Sequence, residues 1–344
     1  MPEPATSRKP RVLVVGGAGY IGSHMVKLLC AAGVPVTTLD DLSSGLREAV
    51  LGGDFVEASL ADADQVDALF ARGGFDAVMH FASFIQVGES VREPAMYYRN
   101  NVCETLMLLE AMIRHDVRKF VFSSSAAVYG EPVKVPIDET HPKSPGNPYG
   151  RTKLMVEEIL DDFDRAYGLR SIRFRYFNAA GADPDGELGE NHDPESHLIP
   201  LVLRAASGRL PQIDVFGDDY DTPDGTCIRD YVHVSDLCDA HLLAVQALMD
   251  GAESQALNLG NGNGFSVREV IDTASSVTGT EIPMRIQDRR PGDPARLVAD
   301  ATRAKADLGW SPRYPDLDAI IGDAWRWEQR LAAAGGKPSK VKTP

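Results

Sequence analysis

The chain has 344 residues, 43% of them hydrophobic, with 50 acidic against 35 basic side chains and a formal charge of −15. That length and apolar content allow a large core and more than one compact unit. The negative balance argues against nucleic acid and anionic lipid as partners, so an anionic ligand must be held locally, by a few arginines and by helix N-termini.

The elements alternate from the start. Arg11 to Val15 is a short apolar run ending in glycines, which suits a buried parallel strand. Gly16-Gly17-Ala18-Gly19-Tyr20-Ile21-Gly22 then opens a helix whose apolar positions run to Ala32 and stop at Gly33. Glycine serves there for positive φ, for close backbone approach to a pyrophosphate and for helix–strand packing. The N–H groups of the helix start are free to bind phosphate. Val36 to Leu39 is the next strand, and Asp40 at its end lies eighteen residues past Gly22, where a carboxylate accepts from a ribose 2′-OH. Asp41 follows and either repels a 2′-phosphate or caps a turn, so NAD is expected over NADP.

Strands are expected at 54–56, 77–81, 120–122 and 171–176, with helices at 63–71, 101–114 and 150–167. This rhythm predicts an α/β fold, a doubly wound Rossmann sheet. After Asn178 the pattern loosens. Gly181 to Pro194 reads as a long loop, and the remainder of the chain as a smaller C-terminal α/β domain. The expected boundaries are 11–178 for the NAD-binding domain, joined by part of the region near 230–260, and 179–330 for a substrate domain. Leu257-Asn258-Leu259-Gly260 is a candidate to rejoin the first sheet. Residues 1–10 and 334–344 read as flexible tails.

Cys30, Cys103, Cys227 and Cys238 lack the close pairing of a zinc or redox motif, which points to reduced thiols in a cytoplasmic protein, and no metal is expected. No stretch approaches the roughly eighteen apolar residues of a membrane span, and the first ten residues carry no secretion-signal core.

Tyr149 and Lys153, in Pro148-Tyr149-Gly150-Arg151-Thr152-Lys153, stand four apart and so share one helical face. A phenol is a weak base at its ordinary pKa of ~10, and a fixed cation nearby favours the phenolate. With a dinucleotide site, that pair suits removal of a proton and a hydride from an alcohol. Ser125 ends the strand begun at Phe120, where open α/β sheets bind ligands, and is chosen over Ser124 to bond both substrate oxygen and phenol.

With these residues the chain resembles the extended short-chain dehydrogenase/reductase family, and within it the 4-epimerases of UDP-glucose and UDP-galactose. The resemblance runs from about Arg11 to Arg330. It rests on residues 16–24, His80-Phe81-Ala82, Val87 to Ser90, Tyr97 to Val102, Ser123 to Gly130, Pro148 to Met155 and Tyr176-Phe177-Asn178. Asp224-Gly225-Thr226, Arg229 to Val234 and Arg290 to Asp293 complete it. Dehydratases of the family carry an Asp-Glu pair directly after the catalytic hydroxyl, to drive elimination of water. Here Ala126 and Ala127 follow Ser125, which argues for epimerisation.

The resemblance implies that Tyr149 deprotonates the sugar 4-OH while tightly held NAD takes the C4 hydride and returns it to the other face of a 4-keto sugar. Lys153 and the nicotinamide charge lower the phenol pKa, and Ser125 orients the oxygen. It implies NAD contacts from Gly16, Gly19, Tyr20, Ile21, Gly22, Asp40, Ser59, Leu60, Phe81, Ala82, Asn100, Ser123, Tyr149, Lys153 and Tyr176. For the UDP-sugar it implies Ser125, Tyr149, Asn178, His197, Leu198, Phe216, Arg229, Tyr231, Arg290, Asp293 and Leu297, with the two arginines on pyrophosphate.

Ser59 stands where an acid is usual, Ile85 where a lysine is frequent, and His197 where asparagine is frequent. Leu297 replaces the bulky tyrosine of some members, which leaves room for an N-acetyl group. A homodimer through a four-helix bundle is implied, with Met107, Leu108, Met112, Met155, Val156 and Leu160 as candidates for its face or for the subunit's own core. The alternatives are an epimerase of N-acetylated hexoses or pentoses, a nucleotide-sugar oxidoreductase, and a silent NAD-binding regulator.

Overall fold

The computed structural model describes residues 8–290 and 292–335. The first half alternates strand and helix. The strands are β1 (Val12–Val15), β2 (Val36–Asp40), β3 (Asp54–Glu57), β4 (Ala77–His80), β5 (Lys119–Ser125) and β6 (Arg170–Tyr176). The helices are α1 (Tyr20–Ala31), α2 (Ala63–Gly73), α3 (Val87–Arg92), α4 (Pro94–Tyr98), α5 (Thr105–Arg114) and α6 (Pro148–Tyr167). The second half contains β7 (Asn178–Ala180), α7 (Leu198–Ala206), β8 (Ile213–Phe216), β9 (Ile228–Arg229), β10 (Tyr231–His233), α8 (Val234–Met249), β11 (Gln255–Leu259) and β12 (Phe265–Ser266). It closes with α9 (Val267–Thr278), β13 (Met284–Gln287), β14 (Arg296–Leu297), α10 (Thr302–Leu308) and α11 (Leu317–Ala333).

Seven strands form one sheet in the order β11-β6-β5-β4-β1-β2-β3. Every pairing in it is parallel. Strand alternation sorts its side chains onto two apolar layers. Val12 and Val14 join Met25, Leu29, Phe174, Leu237 and Val245 on one face. Leu13 and Val15 join Leu69, Leu109, Phe120, Val156 and Leu160 on the other. The sheet is covered on both faces, as parallel sheets require. Chain order reverses between β1 and β4, and α/β sheets open a ligand crevice at that point, above the strand C-termini.

Residues 234–259 return to this unit. α8 packs beside α1, and β11 pairs with β6. A separate core of α7, β8, α9 and α11 residues, among them Ile199, Val202, Val270, Ile320 and Ile321, forms the second half.

Two features depart from expectation, and one open alternative is decided. Residues 99–104 form a π-helical turn preceding α5, where one continuous helix is expected. Arg8 and Lys9, expected in a tail, are bound: Arg8 Nη2 donates to Asp76 at 2.9 Å and Lys9 Nζ to Ala32 O at 2.6 Å. Leu108, Met112, Val156 and Leu160 are buried within the subunit, so they do not form an outer face; Met155 remains 40% exposed. Residues 1–7 and 336–344 of the expected tails lie outside the described residues. Among the described residues, no helix is long and apolar enough to cross a membrane.

Candidate active site

α6 is built to hold Tyr149 at the end of β5. Asn147 caps it, its Oδ1 accepting from Gly150 N at 2.9 Å, and Pro148 occupies the first turn, where a missing N–H costs nothing. A Cβ on Gly150 would stand 2.5 Å from Ala127 O, so glycine alone lets the helix approach the turn after β5 this closely. The result sets the Ser125 hydroxyl close enough to the Tyr149 phenol to lower its pKa.

The three serines ending β5 divide their work. Ser123 Oγ bonds the Tyr176 hydroxyl on the neighbouring strand. Ser124 Oγ donates to Glu157 Oε1 at 2.6 Å. Ser125 faces the phenol and also accepts from Ala127 N at 3.2 Å.

Lys153 is buried, and its Nζ donates to Ser123 O at 2.8 Å, 5.8 Å from the Tyr149 ring centroid. The expected lowering of the phenol pKa is not produced by these side chains alone. Burial pushes the Tyr149 phenol above its ordinary value, opposed by the Ser125 hydroxyl. Burial likewise pushes the Lys153 ammonium down to about 7. Desolvation is the largest cause for both groups: it favours the neutral phenol and brings the ammonium's pKa into the neutral range.

The glycine turn fits a dinucleotide. Gly16 has φ +81°, and a Cβ there would meet Ala82 N at 2.4 Å; one on Gly22 would meet Gly16 O at 2.1 Å. Gly19 is different. Its only neighbour is Gly16 O, at an ordinary 3.5 Å, so the protein's own packing does not require glycine there. Gly19 precedes the first N–H groups of α1, with no side-chain cap and no acid in the first turn, and leaves backbone open for an anion. Asp40 Oδ2 accepts from Ala18 N at 2.8 Å and Oδ1 from Leu42 N at 2.9 Å, which fixes the carboxylate at the lip of the turn. Burial raises its pKa, and the two N–H groups oppose that.

The other residues expected at the cofactor are more varied. Phe81 and Ala82 follow β4 beside Gly16. Tyr20 turns its hydroxyl onto Gly181 O at 2.7 Å, leaving its N–H end at the turn. Ile21 packs against the sheet core, and buried Leu60 lies in the opposite layer. Ser59 Oγ accepts from Ala61 N at 3.1 Å in a local turn. Asn100 Oδ1 accepts from Phe84 N at 3.3 Å. Asn101, not singled out in the sequence, makes the stronger link: its amide joins Phe84 N and O to Thr152 Oγ1, tying the segment after β4 to α6.

The substrate candidates fall into small groups. Asn178 lies directly opposite Tyr231 in the β7–β10 pair, and Asn178 Nδ2 donates to Asp230 O at 2.8 Å. Leu297 lies opposite Arg229 in the β14–β9 pair and packs against the cluster of Ala126, Val128, Tyr129 and Ile137, which includes the turn that follows Ser125. Arg229 donates to Ile228 O and Pro294 O and stands 3.6 Å from Asp293. The Arg290 guanidinium stacks 3.8 Å over the Phe216 ring. His197 and Leu198 start α7, and His197 Nδ1 meets Glu190 Oε1.

A switch-point crevice, a glycine turn and a neighbouring Ser–Tyr pair with a buried lysine one helical turn on define a dinucleotide-dependent enzyme that acts on a carbinol. The chain belongs to the NAD dependent epimerase/dehydratase family, whose model matches residues 12–260. It is 51% identical over 318 residues to the UDP-glucose 4-epimerase of Halalkalibacterium halodurans, covering 92% of this chain and 95% of that protein. The solved UDP-glucose 4-epimerase from Brucella ovis in complex with NAD superposes with a TM-score of 0.90 at 51% identity, over 92% of this chain and 97% of that one. The UDP-Glc/GlcNAc 4-epimerase from Campylobacter jejuni superposes at 0.82 with 42% identity, over 93% of this chain and 99% of that one.

Proposed function

We propose that the chain is a UDP-hexose 4-epimerase with bound NAD, interconverting UDP-glucose and UDP-galactose. The observation that carries this is the pairing of the Ser125 hydroxyl with the Tyr149 phenol at the C-terminal end of β5, beside Lys153 and free of any following carboxylate. Gly16, Gly19 and Gly22, the start of α1 and Asp40 hold the dinucleotide. When bound, NAD supplies a reversible hydride acceptor for the sugar C4 and a positive ring charge that offsets the burial of the phenolate.

Tyr149 removes the 4-OH proton and later returns it. Ser125 keeps the oxygen within reach of the phenol. Lys153, anchored on Ser123 O, stabilises the phenolate as it forms. Ala126 and Ala127 offer no acid or base, so a 4-keto sugar is not drawn into loss of water. Arg229 and Arg290 pair with the diphosphate, Asp293 with the uridine ribose, and Phe216 and Leu198 line the base.

The enzyme works as a cytoplasmic homodimer. Val87, Val91 and Met155, at 46%, 62% and 40% exposure on the packed helices α3 and α6, give a second copy an apolar face to cover. A second reading rests on Leu297, which packs beside the Ser125 turn and is smaller than tyrosine: N-acetylated UDP-hexoses are substrates as well.

The test is to incubate the purified protein, without added cofactor, with UDP-galactose, UDP-N-acetylgalactosamine and UDP-pentoses and to score inversion at C4. Inversion of UDP-galactose without stoichiometric free NADH supports the reading. Net oxidation, or no turnover of any UDP-sugar, overturns it.

A further inference from the structure

The long segment between Gly181 and α7 carries a cluster of which the epimerase reading uses only His197, as an implied UDP-sugar contact. Glu190, His192, Glu195 and His197 each bring one donor atom to within 4.8 Å of the other three. His192 Nδ1 lies 2.9 Å from Glu190 Oε1, and His197 Nδ1 meets the same oxygen. Glu195 Oε1 is 3.8 Å from His192 Nδ1. Both carboxylates are buried.

We propose that these four side chains form a binding site for a divalent transition-metal ion, and that zinc is the ion their chemistry selects. Two imidazole nitrogens and two carboxylate oxygens are a four-coordinate zinc donor set. Magnesium and calcium favour all-oxygen shells, so the imidazoles discriminate against them. The four donors lie within eight residues of one loop, so bringing them together costs little closure entropy.

The surroundings are those of a supported site. Trp327 Nε1 donates to Glu190 O at 2.9 Å. Ser196 N and His197 N donate to Glu195 Oε1, and buried Arg204 reaches Glu195 Oε2 at 3.4 Å and His192 O at 3.2 Å. Such outer partners fix the direction in which ligands point. The acidic group at Asp183, Asp185 and Glu187 differs, because Lys27 Nζ already stands 2.7, 3.1 and 2.8 Å from its three carboxylates and neutralises it.

The ion would bind two units together. His197 leads directly into α7, while the His192 ring meets Tyr20, at the start of α1, edge-on at 6.4 Å. Its role is therefore to position the loop and the start of α7, and it takes no part in chemistry at the sugar. The metal site shares His197 with the substrate reading, and its readout, metal and not turnover, keeps the two distinguishable.

The test uses the untagged full-length protein from zinc-supplemented cells, dialysed and analysed by plasma mass spectrometry. About one zinc per chain is expected. Co2+ added after chelation should give the intense visible absorption of a tetrahedral site. His192→Ala and Glu190→Gln should each bring zinc to below about a tenth per chain. Chelation should lower the melting temperature of the wild type, and Zn2+ should restore it. Wild-type protein that holds no zinc and takes up none on titration with Zn2+ overturns the proposal: the four side chains are then only paired with one another. Folded His192→Ala that retains its full zinc overturns it too. If the variants fail to fold, the wild-type titration alone decides.

Discussion

Arg175 Nη2 stands 2.6 Å from Glu157 Oε2, an ion pair between β6 and α6 whose side chains are 4% and 1% exposed. Ser124 adds its hydroxyl to the same carboxylate, and Arg175 Nη1 donates to Tyr129 Oη at 2.9 Å, which donates to Asn258 Oδ1 at 2.6 Å. The pair thus locks β6 to the helix bearing Tyr149, and the Ser124 bond ties in β5, the strand bearing Ser125. Burial alone would raise the Glu157 pKa, but the Arg175 hydrogen bonds and charge bring it below its ordinary value. Arg175→Met strands a buried carboxylate and should cost about 3–5 kcal/mol in urea unfolding. The double variant Glu157→Leu/Arg175→Met should recover much of that loss. Because the folded pKa of Glu157 is depressed, its contribution is present above its ordinary 4.5 and is lost as pH falls through the folded value.

The glycine turn separates two kinds of glycine. Gly22→Ala places a Cβ against Gly16 O, a backbone atom that cannot yield, and should lower both stability and NAD content. Gly19→Ala meets no protein atom closer than 3.5 Å and should fold with an unchanged melting temperature. Its NAD content, read by absorbance after release, should fall at least tenfold, about 1.4 kcal/mol.

His241 lies between Phe81 and Phe174, each ring centroid 4.8 Å away, and its buried Nε2 has no partner. Burial lowers its pKa to about 4. The unfolded imidazole takes up its proton near 6.5, so this residue withdraws stability as pH falls from there toward 4. His241→Phe should therefore stabilise the fold in urea unfolding, by about 1 kcal/mol at neutral pH and by more at pH 5. An equal gain at both pH values would count against a titrating His241.

Leu297→Tyr fills the space beside the Ser125 turn. Turnover of UDP-N-acetylgalactosamine should drop about 10-fold or more, while UDP-galactose stays within a few-fold. Equal losses on both sugars would mean that Leu297 does not line the pocket.

Much of the sheet was readable because its strands are short apolar runs buried on both faces and its first helix stops at a glycine, Gly33. The return of β11 to the sheet was visible in the apolar Leu257 and Leu259. The π-helical turn at 99–104 was not, because its hydrogen bonds leave no periodic mark over six residues. Ser125 was separable from Ser123 and Ser124 only by argument, since all three end the same strand and their partners, Tyr176 and Glu157, are distant in sequence. The Glu190–His197 cluster was hidden for a different reason: in a polar loop, alternating acids and histidines read as solvated surface until the fold buries the two glutamates.

The most direct measurement replaces Tyr149 with Phe and monitors both bound NAD and inversion of UDP-galactose at C4. The phenol is the proton carrier here, so NAD content should match the wild type while turnover falls by about 10²-fold or more. Undiminished turnover in a folded, NAD-bound Tyr149→Phe protein would contradict the proposed chemistry.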